Sequence, residues 1–241
     1  MKTLLIIPAY NEKDNIGRVI SEIRNDLDFA DILIVNDCST DDTLKILQGF
    51  KGIKYITLPV NLGYAGALQT GFKYAVNHNY DVVIQFDGDG QHIANEAKEL
   101  YDFFINKKAD IVIGSRFLSN SVEYKNSFFR GLGTLFFRKI IKGLCNVEVT
   151  DPTSGFQILS KEVFEKYSKI NNYPEYPDAN LLIQMILQGY KVEEKYVKMR
   201  NREFGESMHS GVLKPTKYMI KMFYAIALIT MKKKYLIQKN Y

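Results

Sequence analysis

Residues Val82–His92 read VVIQFDGDGQH. Val82, Val83, Ile84 and Phe86 make a short apolar run bounded by polar clusters, the pattern of a buried strand. Asp87 and Asp89, separated by Gly88, then fall where that strand ends. In open α/β sheets, ligands bind at the carboxyl ends of the strands. Two anionic oxygens, glycines that admit a close backbone, and the Gln91 amide suit a hard divalent cation, Mg2+ or Mn2+. Such an ion keeps coordination positions open for substrate phosphates. A polar turn closing a strand is the plainer reading of Asp-Gly, and the rest of the chain decides between the two.

Working outward, the same rhythm repeats. Strand patterns at Leu4–Ala9, Ile32–Val35, Ile53–Leu58, Val82–Phe86 and Ile111–Ile113 alternate with helix patterns at Asn15–Asn25, Asp42–Leu47, Asn61–Val76 and Ala94–Asn106. This β-α alternation predicts a mostly parallel, Rossmann-like sheet with helices on both faces. Beyond it the pattern becomes irregular. Strands are expected near Ile158-Leu159 and at Val192–Val197, and helices at Ser127–Leu144, Ala179–Leu187 and Pro215–Met231.

The chain has 241 residues, 46% of them hydrophobic, which suits one domain with a sizeable core. A net charge of +5 is too modest to imply nucleic acid. Cys38 and Cys145 match no metal spacing and no disulfide framework, which favours a reducing cytosol. Leu4–Ile7 is too short for a signal-peptide core, and no run reaches the roughly 20 apolar residues that span a bilayer.

Two turns of the first half carry chemistry. Pro8-Ala9-Tyr10-Asn11-Glu12 sets an aromatic ring and a carboxylate at a strand end, and Asp37 occupies the same edge one strand over. A base needs a stacking surface and acceptors for its N–H groups, and a ribose needs a hydroxyl acceptor. Helix capping and turn formation are the alternative duties for these residues. Asn61–Ala67 lacks the G-x-G-x-x-G spacing and does not follow the first strand, so it is read as a tight turn into a helix.

In the second half, Arg116 ends a strand within Gly114-Ser115-Arg116-Phe117. Arg130, Thr134, Arg138 and Lys142 then recur every four residues, a cationic stripe on a helix that is otherwise apolar around its girth. Such a helix is either buried or lies on a membrane. Met222–Met231 carries no charge, yet it is only about 15 Å of helix, half a bilayer core. With lysines on both sides it reads as an interfacial anchor, a helix docking on a membrane protein, or a terminal core helix.

Taken together, these segments resemble family 2 glycosyltransferases. Asp87-Gly88-Asp89 with Gln91-His92 is similar to the family's Asp-x-Asp metal motif, and the Gln resembles that of the polyprenol-phosphate sugar synthases, the dolichol-phosphate-mannose synthase type. Pro8–Glu12 and Asn36–Thr43 match its nucleotide segments, with Asn36 in place of the first Asp. Asp151-Pro152-Thr153-Ser154-Gly155-Phe156 matches its acceptor segment. Arg202 within Arg200–Ser207 stands at the Arg of its Arg-x-x-Gly-x-Ser loop, although Met208 replaces a frequent Lys.

The resemblance implies an A-type glycosyltransferase fold in one domain: a nucleotide-sugar half over about 1–114, an acceptor half over about 115–213, and a C-terminal amphipathic helix with basic tail over 214–241. It implies an inverting, metal-dependent transfer from a UDP- or GDP-sugar to a polyprenyl phosphate. The expected place is the inner membrane face, as a peripheral protein. Asp87, Asp89 and Gln91 would hold the metal. Pro8, Tyr10, Glu12, Asp37, Asp87 and Gly88 would hold the nucleotide-sugar, and Arg202 would clamp the diphosphate. Arg116 and Arg130 match arginines of the polyprenol-phosphate synthases and would hold the acceptor phosphate. Asp151 would serve as general base if the acceptor were a saccharide hydroxyl, as in cell-surface polysaccharide synthesis. Paired carboxylates and a metal also serve nucleotidyltransferases, a reading the Asp-x-x-Ser-Gly-Phe segment disfavours.

Overall fold

The computed structural model describes residues 1–118, 128–171, 173–201 and 213–232. The first half alternates as the pattern predicts: β1 (Thr3–Ala9), α1 (Ile16–Asp26), β2 (Ala30–Asn36), α2 (Thr43–Gly49), β3 (Lys54–Thr57), α3 (Gly63–Asn77), β4 (Val82–Gln85), α4 (Ala94–Lys107) and β5 (Ile111–Ser115). Strands β1 to β4 pair in parallel. Along β1, Leu4 and Ile6 join one core while Leu5 and Ile7 join the other, and all four are buried. Apolar side chains on both faces of a period-two strand need a cover on both faces. On one side α1 supplies it with Ile16, Val19, Ile20 and Ile23, a single stripe at helical spacing.

The second half adds α5 (Phe128–Cys145), β6 (Gln157–Ser160), α6 (Lys161–Lys169), α7 (Ala179–Leu187), β7 (Val192–Tyr196) and α8 (Leu213–Met231). The seven strands form one sheet in the order β3-β2-β1-β4-β6-β5-β7. Strand β6 runs antiparallel to both β4 and β5, with Gln157 opposite Gln85 and Ile113. Its first residue therefore lies at the carboxyl ends of its neighbours, and so does the loop that precedes it. That reversal, and helix α6, are absent from the sequence reading. Among the described residues, no helix is long and apolar enough to cross a membrane.

Helix α5 is buried along one side and exposed along the other. Phe137 and Ile141 are buried in the core, whereas Leu135 and Phe136 are exposed.

Candidate active site

Parallel strands deliver their loops to one edge, and β6 delivers its leading loop there by running the other way. The turns after β1, β2, β4 and β5 and the segment Asp151–Phe156 therefore meet.

After β4 the backbone N–H of Asp87 donates to His92 Nδ1 at 3.0 Å, and His92 Nε2 lies 3.6 Å from Asp87 Oδ2. Burial pushes the His92 pKa down to about 4, partly offset by the charge of Asp89. The ring is thus neutral, with its proton on Nε2 facing the carboxylate. It stacks on Phe156 at 4.4 Å between centroids, which ties the metal motif to the start of β6. Tyr64, in the first turn of α3, donates its hydroxyl to Asp87 Oδ1 at 3.0 Å. Asp89 Oδ1 accepts the N–H of Gln91 at 3.0 Å. The Gln91 amide nitrogen donates to the Arg200 carbonyl at 3.3 Å, so its oxygen is the end that remains for a cation.

Two glycines make this packing possible. A Cβ on Gly88 would sit 3.1 Å from the Pro8 carbonyl oxygen, and one on Gly155 would sit 2.7 Å from Tyr64 Oη and 3.4 Å from Asp87 Oδ2. The Pro8 backbone thus lies close against Gly88, and Gly155 lies close against Tyr64 and Asp87.

The donor set fits a hard divalent ion. Two carboxylates and an amide are oxygen ligands, and Tyr64 and His92 orient Asp87 as outer-shell partners do. Among the described residues, no group of three or more His, Cys, Asp or Glu forms a complete cage. An ion here would therefore draw further ligands from substrate or water, as Mg2+ and Mn2+ do.

In the turn after β1, Tyr10 is exposed. Glu12 and Asp37 are buried. Glu12 accepts the Asn15 amide at 2.7 Å, and Asp37 accepts the Leu62 N–H at 2.7 Å, holding the turn into α3. Burial raises the Asp37 pKa, while backbone N–H groups of Leu62 and Gly63 lower it. Asn36 accepts the Ser39 N–H at 3.2 Å and donates to Thr57 at 3.4 Å, a donor role that an Asp could not fill.

In the segment before β6, Asp151 is 0% exposed. One oxygen accepts Arg116 Nε at 2.7 Å and the Arg116 backbone N–H at 3.1 Å, and the other accepts Nη2 at 2.8 Å. The Phe117 ring has the Arg116 and Arg138 guanidinium carbons 5.3 and 5.2 Å from its centroid. Arg138 Nε donates to the Thr150 carbonyl at 2.5 Å. Arg130 lies in the first turn of α5, where the structure describes only backbone, and Arg202 lies outside the described residues. Arg200 is at the site through its backbone: its N–H donates to the Gln91 carbonyl at 2.8 Å, while its side chain holds Glu22 of α1 at 2.9 and 2.7 Å.

Sequence reasoning assigns no role to three residues at this site. Tyr64 reads as part of a turn. Glu194, on β7, accepts the Thr150 N–H at 2.6 Å and the Asp151 N–H at 2.9 Å, one with each oxygen. Burial raises its pKa against those bonds. Asp178, at the start of α7, has its pKa pushed up to about 7 by burial, with the charges of Asp87 and Asp151 adding to the rise. A hydrogen bond from Tyr218 at 3.0 Å and the charge of Arg116 oppose it. A Glu in a strand and an Asp before a helix are ordinary in sequence, and only the fold reveals what they face.

Comparison with known proteins places the chain in a family and a fold. The polyprenol monophosphomannose synthase of Mycolicibacterium smegmatis is 27% identical over 217 residues, covering 87% of this chain and 82% of its own. The UDP-N-acetylglucosamine–dolichyl-phosphate N-acetylglucosaminyltransferase of Methanococcus voltae is 32% identical over 182 residues, covering 68% of this chain and 72% of its own. A mannosyltransferase from Pyrobaculum calidifontis, solved with GDP-Man and Mn2+, superposes with a TM-score of 0.67 at 14% identity, covering 98% of this chain and 69% of that one. The fold is the A-type glycosyltransferase fold. The model of glycosyl transferase family 2 matches residues 4–168, and the chain belongs to that family.

Proposed function

We propose that this glycosyltransferase moves a sugar from a UDP- or GDP-sugar to the phosphate of a polyprenyl phosphate, with inversion, at the cytosolic membrane face. The observation that carries this reading is the state of Asp151. A hydroxyl nucleophile needs a base to take its proton, and Asp151 is buried with both oxygens held by Arg116. A phosphate monoester is already anionic near neutral pH, its second pKa being about 6, and needs cations rather than a base.

In the reaction an oxygen of the lipid phosphate attacks the anomeric carbon. The bond from that carbon to the nucleoside diphosphate breaks as the new C–O bond forms. Tyr10 offers the base a stacking surface at the rim, beside the turns that Glu12 and Asp37 hold. Asp87, Asp89 and Gln91 would hold Mg2+ or Mn2+, which supplies Lewis-acid stabilisation of the departing diphosphate. Arg202 adds a second clamp on that diphosphate, and Arg116 and Arg130 draw the lipid phosphate in. Asp151 acts by fixing Arg116.

The test incubates the protein with radiolabelled UDP- and GDP-sugars and a short polyprenyl phosphate. Metal-dependent appearance of label in the lipid phosphate is expected. Label passing to a saccharide hydroxyl instead would overturn this reading of the acceptor.

A further inference from the structure

Helix α8 is apolar on two opposite faces. Tyr218, Met222 and Ile226 point inward and are buried in the core. Ile220, Phe223, Tyr224 and Met231 recur at helical spacing on the other side and are 66%, 61%, 65% and 80% exposed. Leu228 and Ala227 complete that stripe, and no charged residue interrupts it from Met222 to Met231. Leu135 and Phe136 of α5 are also exposed, and α5 lies alongside: a Cβ on Gly133 would be 3.7 Å from Met219 Sδ. Contiguous exposed apolar surface of this kind marks a binding face.

Charge decides what covers it. Around these two helices stand the exposed lysines Lys139, Lys142, Lys217, Lys221 and Lys232. Facing them are Glu148, paired with Lys142, and Glu175, paired with Lys217 and Lys221. The surplus is cationic. Across a two-fold axis a second copy would set these lysines against themselves, whereas anionic lipid neutralises them.

We propose that the outer face of α8, continued by Leu135 and Phe136, seats the enzyme flat on an anionic lipid surface. This builds on the reading that the acceptor is a lipid phosphate, and it gives α8 two duties at once. Its outer face enters the headgroup boundary. Its inner face reaches the site, where Tyr218 donates to Asp178 at 3.0 Å. One helix thickness then separates the lipid surface from Asp178.

The test is sedimentation with phosphatidylcholine–phosphatidylglycerol vesicles. Pure phosphatidylcholine vesicles should bind at least about tenfold more weakly, and salt should weaken the binding to anionic ones. The double variant Phe223→Ser/Tyr224→Ser should lose roughly tenfold or more. The sequence contains no Trp, so Phe223→Trp reports without background. Its emission should shift to the blue on anionic vesicles, while that of Tyr55→Trp, on the edge strand β3, stays put. Absence of sedimentation, a double variant that binds like the parent, or an unmoved emission spectrum of the Phe223→Trp variant would each overturn the proposal. So would a lipid-free dimer that the double variant disperses, because the face would then belong to a second copy. Transfer to a short, water-soluble polyprenyl phosphate in lipid-free buffer separates the two readings. Vesicle binding without such transfer sinks the reaction alone, and transfer without vesicle binding sinks only the docking face.

Discussion

Arg116 grips both oxygens of Asp151, with Nε at 2.7 Å and Nη2 at 2.8 Å, so the cation and the base that the sequence offers as rivals are one buried unit. Their roles therefore cannot be separated by comparing single substitutions. Removing either partner strands a charge away from water.

Arg116→Ala and Asp151→Ala are each expected to destabilise the protein by about 3–5 kcal/mol, the cost of leaving a buried charge alone. A double replacement by apolar residues of similar volume, Arg116→Met with Asp151→Leu, should cost much less than the sum. Equilibrium urea unfolding of the four proteins in a double-mutant cycle measures the coupling. Simple additivity would show that the pair is not an energetic unit.

At the metal motif, Asp89→Asn should lower turnover by orders of magnitude with the fold intact, and EDTA should abolish activity until Mg2+ or Mn2+ is restored. Tyr64→Phe removes the donor to Asp87 Oδ1, and Gly155→Ala presses on the same hydroxyl. Each should raise the Mn2+ concentration needed for half-maximal activity by about 10–100-fold, as loss of an outer-shell partner does. Full activity in EDTA would remove the metal from the mechanism.

Glu194 holds two successive backbone N–H groups and, through them, the Asp151–Arg116 pair. Glu194→Gln keeps one acceptor and turns an NH2 toward a donor. We expect kcat to fall roughly tenfold or more through the lost charge-assisted bond, with the KM for the nucleotide-sugar unchanged. A rise in that KM alone would assign Glu194 to donor binding instead.

Asp178 should give metal-free protein a distinctive pH dependence. Its folded pKa is about 7 against an ordinary 3.8. Between these values the folded state holds a proton that the unfolded state lacks, so its contribution to stability falls as pH rises from about 4 to about 7. Asp178→Asn mimics the protonated form. Measured in EDTA, its melting temperature should exceed that of the parent at about pH 8 and converge with it toward about pH 4. An offset that is the same at every pH would show that Asp178 does not titrate in this range.

The β-α alternation of the first half was legible because apolar runs between turn signals are local features of a parallel sheet. Strand β6 was expected near Ile158-Leu159, but its direction was not legible, since its partners lie 78 and 44 positions earlier in the register Val82↔Ser160 and Ile113↔Gln157, and only pairing at that distance sets it. Asp87, Asp89 and Asp151 stood out through motif spacing. The grip of Arg116 on Asp151 and the Glu194 clamp join residues 35 and 43 apart, which no local pattern encodes. Phe136 and Phe137 were indistinguishable as neighbours in an apolar helix, yet one is exposed and the other buried, because about 100° of helical rotation separates them.

During synthesis, the arrangement of β6 leaves the chain waiting. When Ser115 has emerged, β4 has one bare edge and β5 has two, because Gln157–Ser160 and Val192–Tyr196 are still to come. At roughly 5–20 residues per second, several seconds pass before β6 can enter the gap. Unpaired apolar strand edges are templates for wrong partners, so the vulnerable moment of this protein falls on the ribosome, between the completion of its first five strands and the arrival of one four-residue strand.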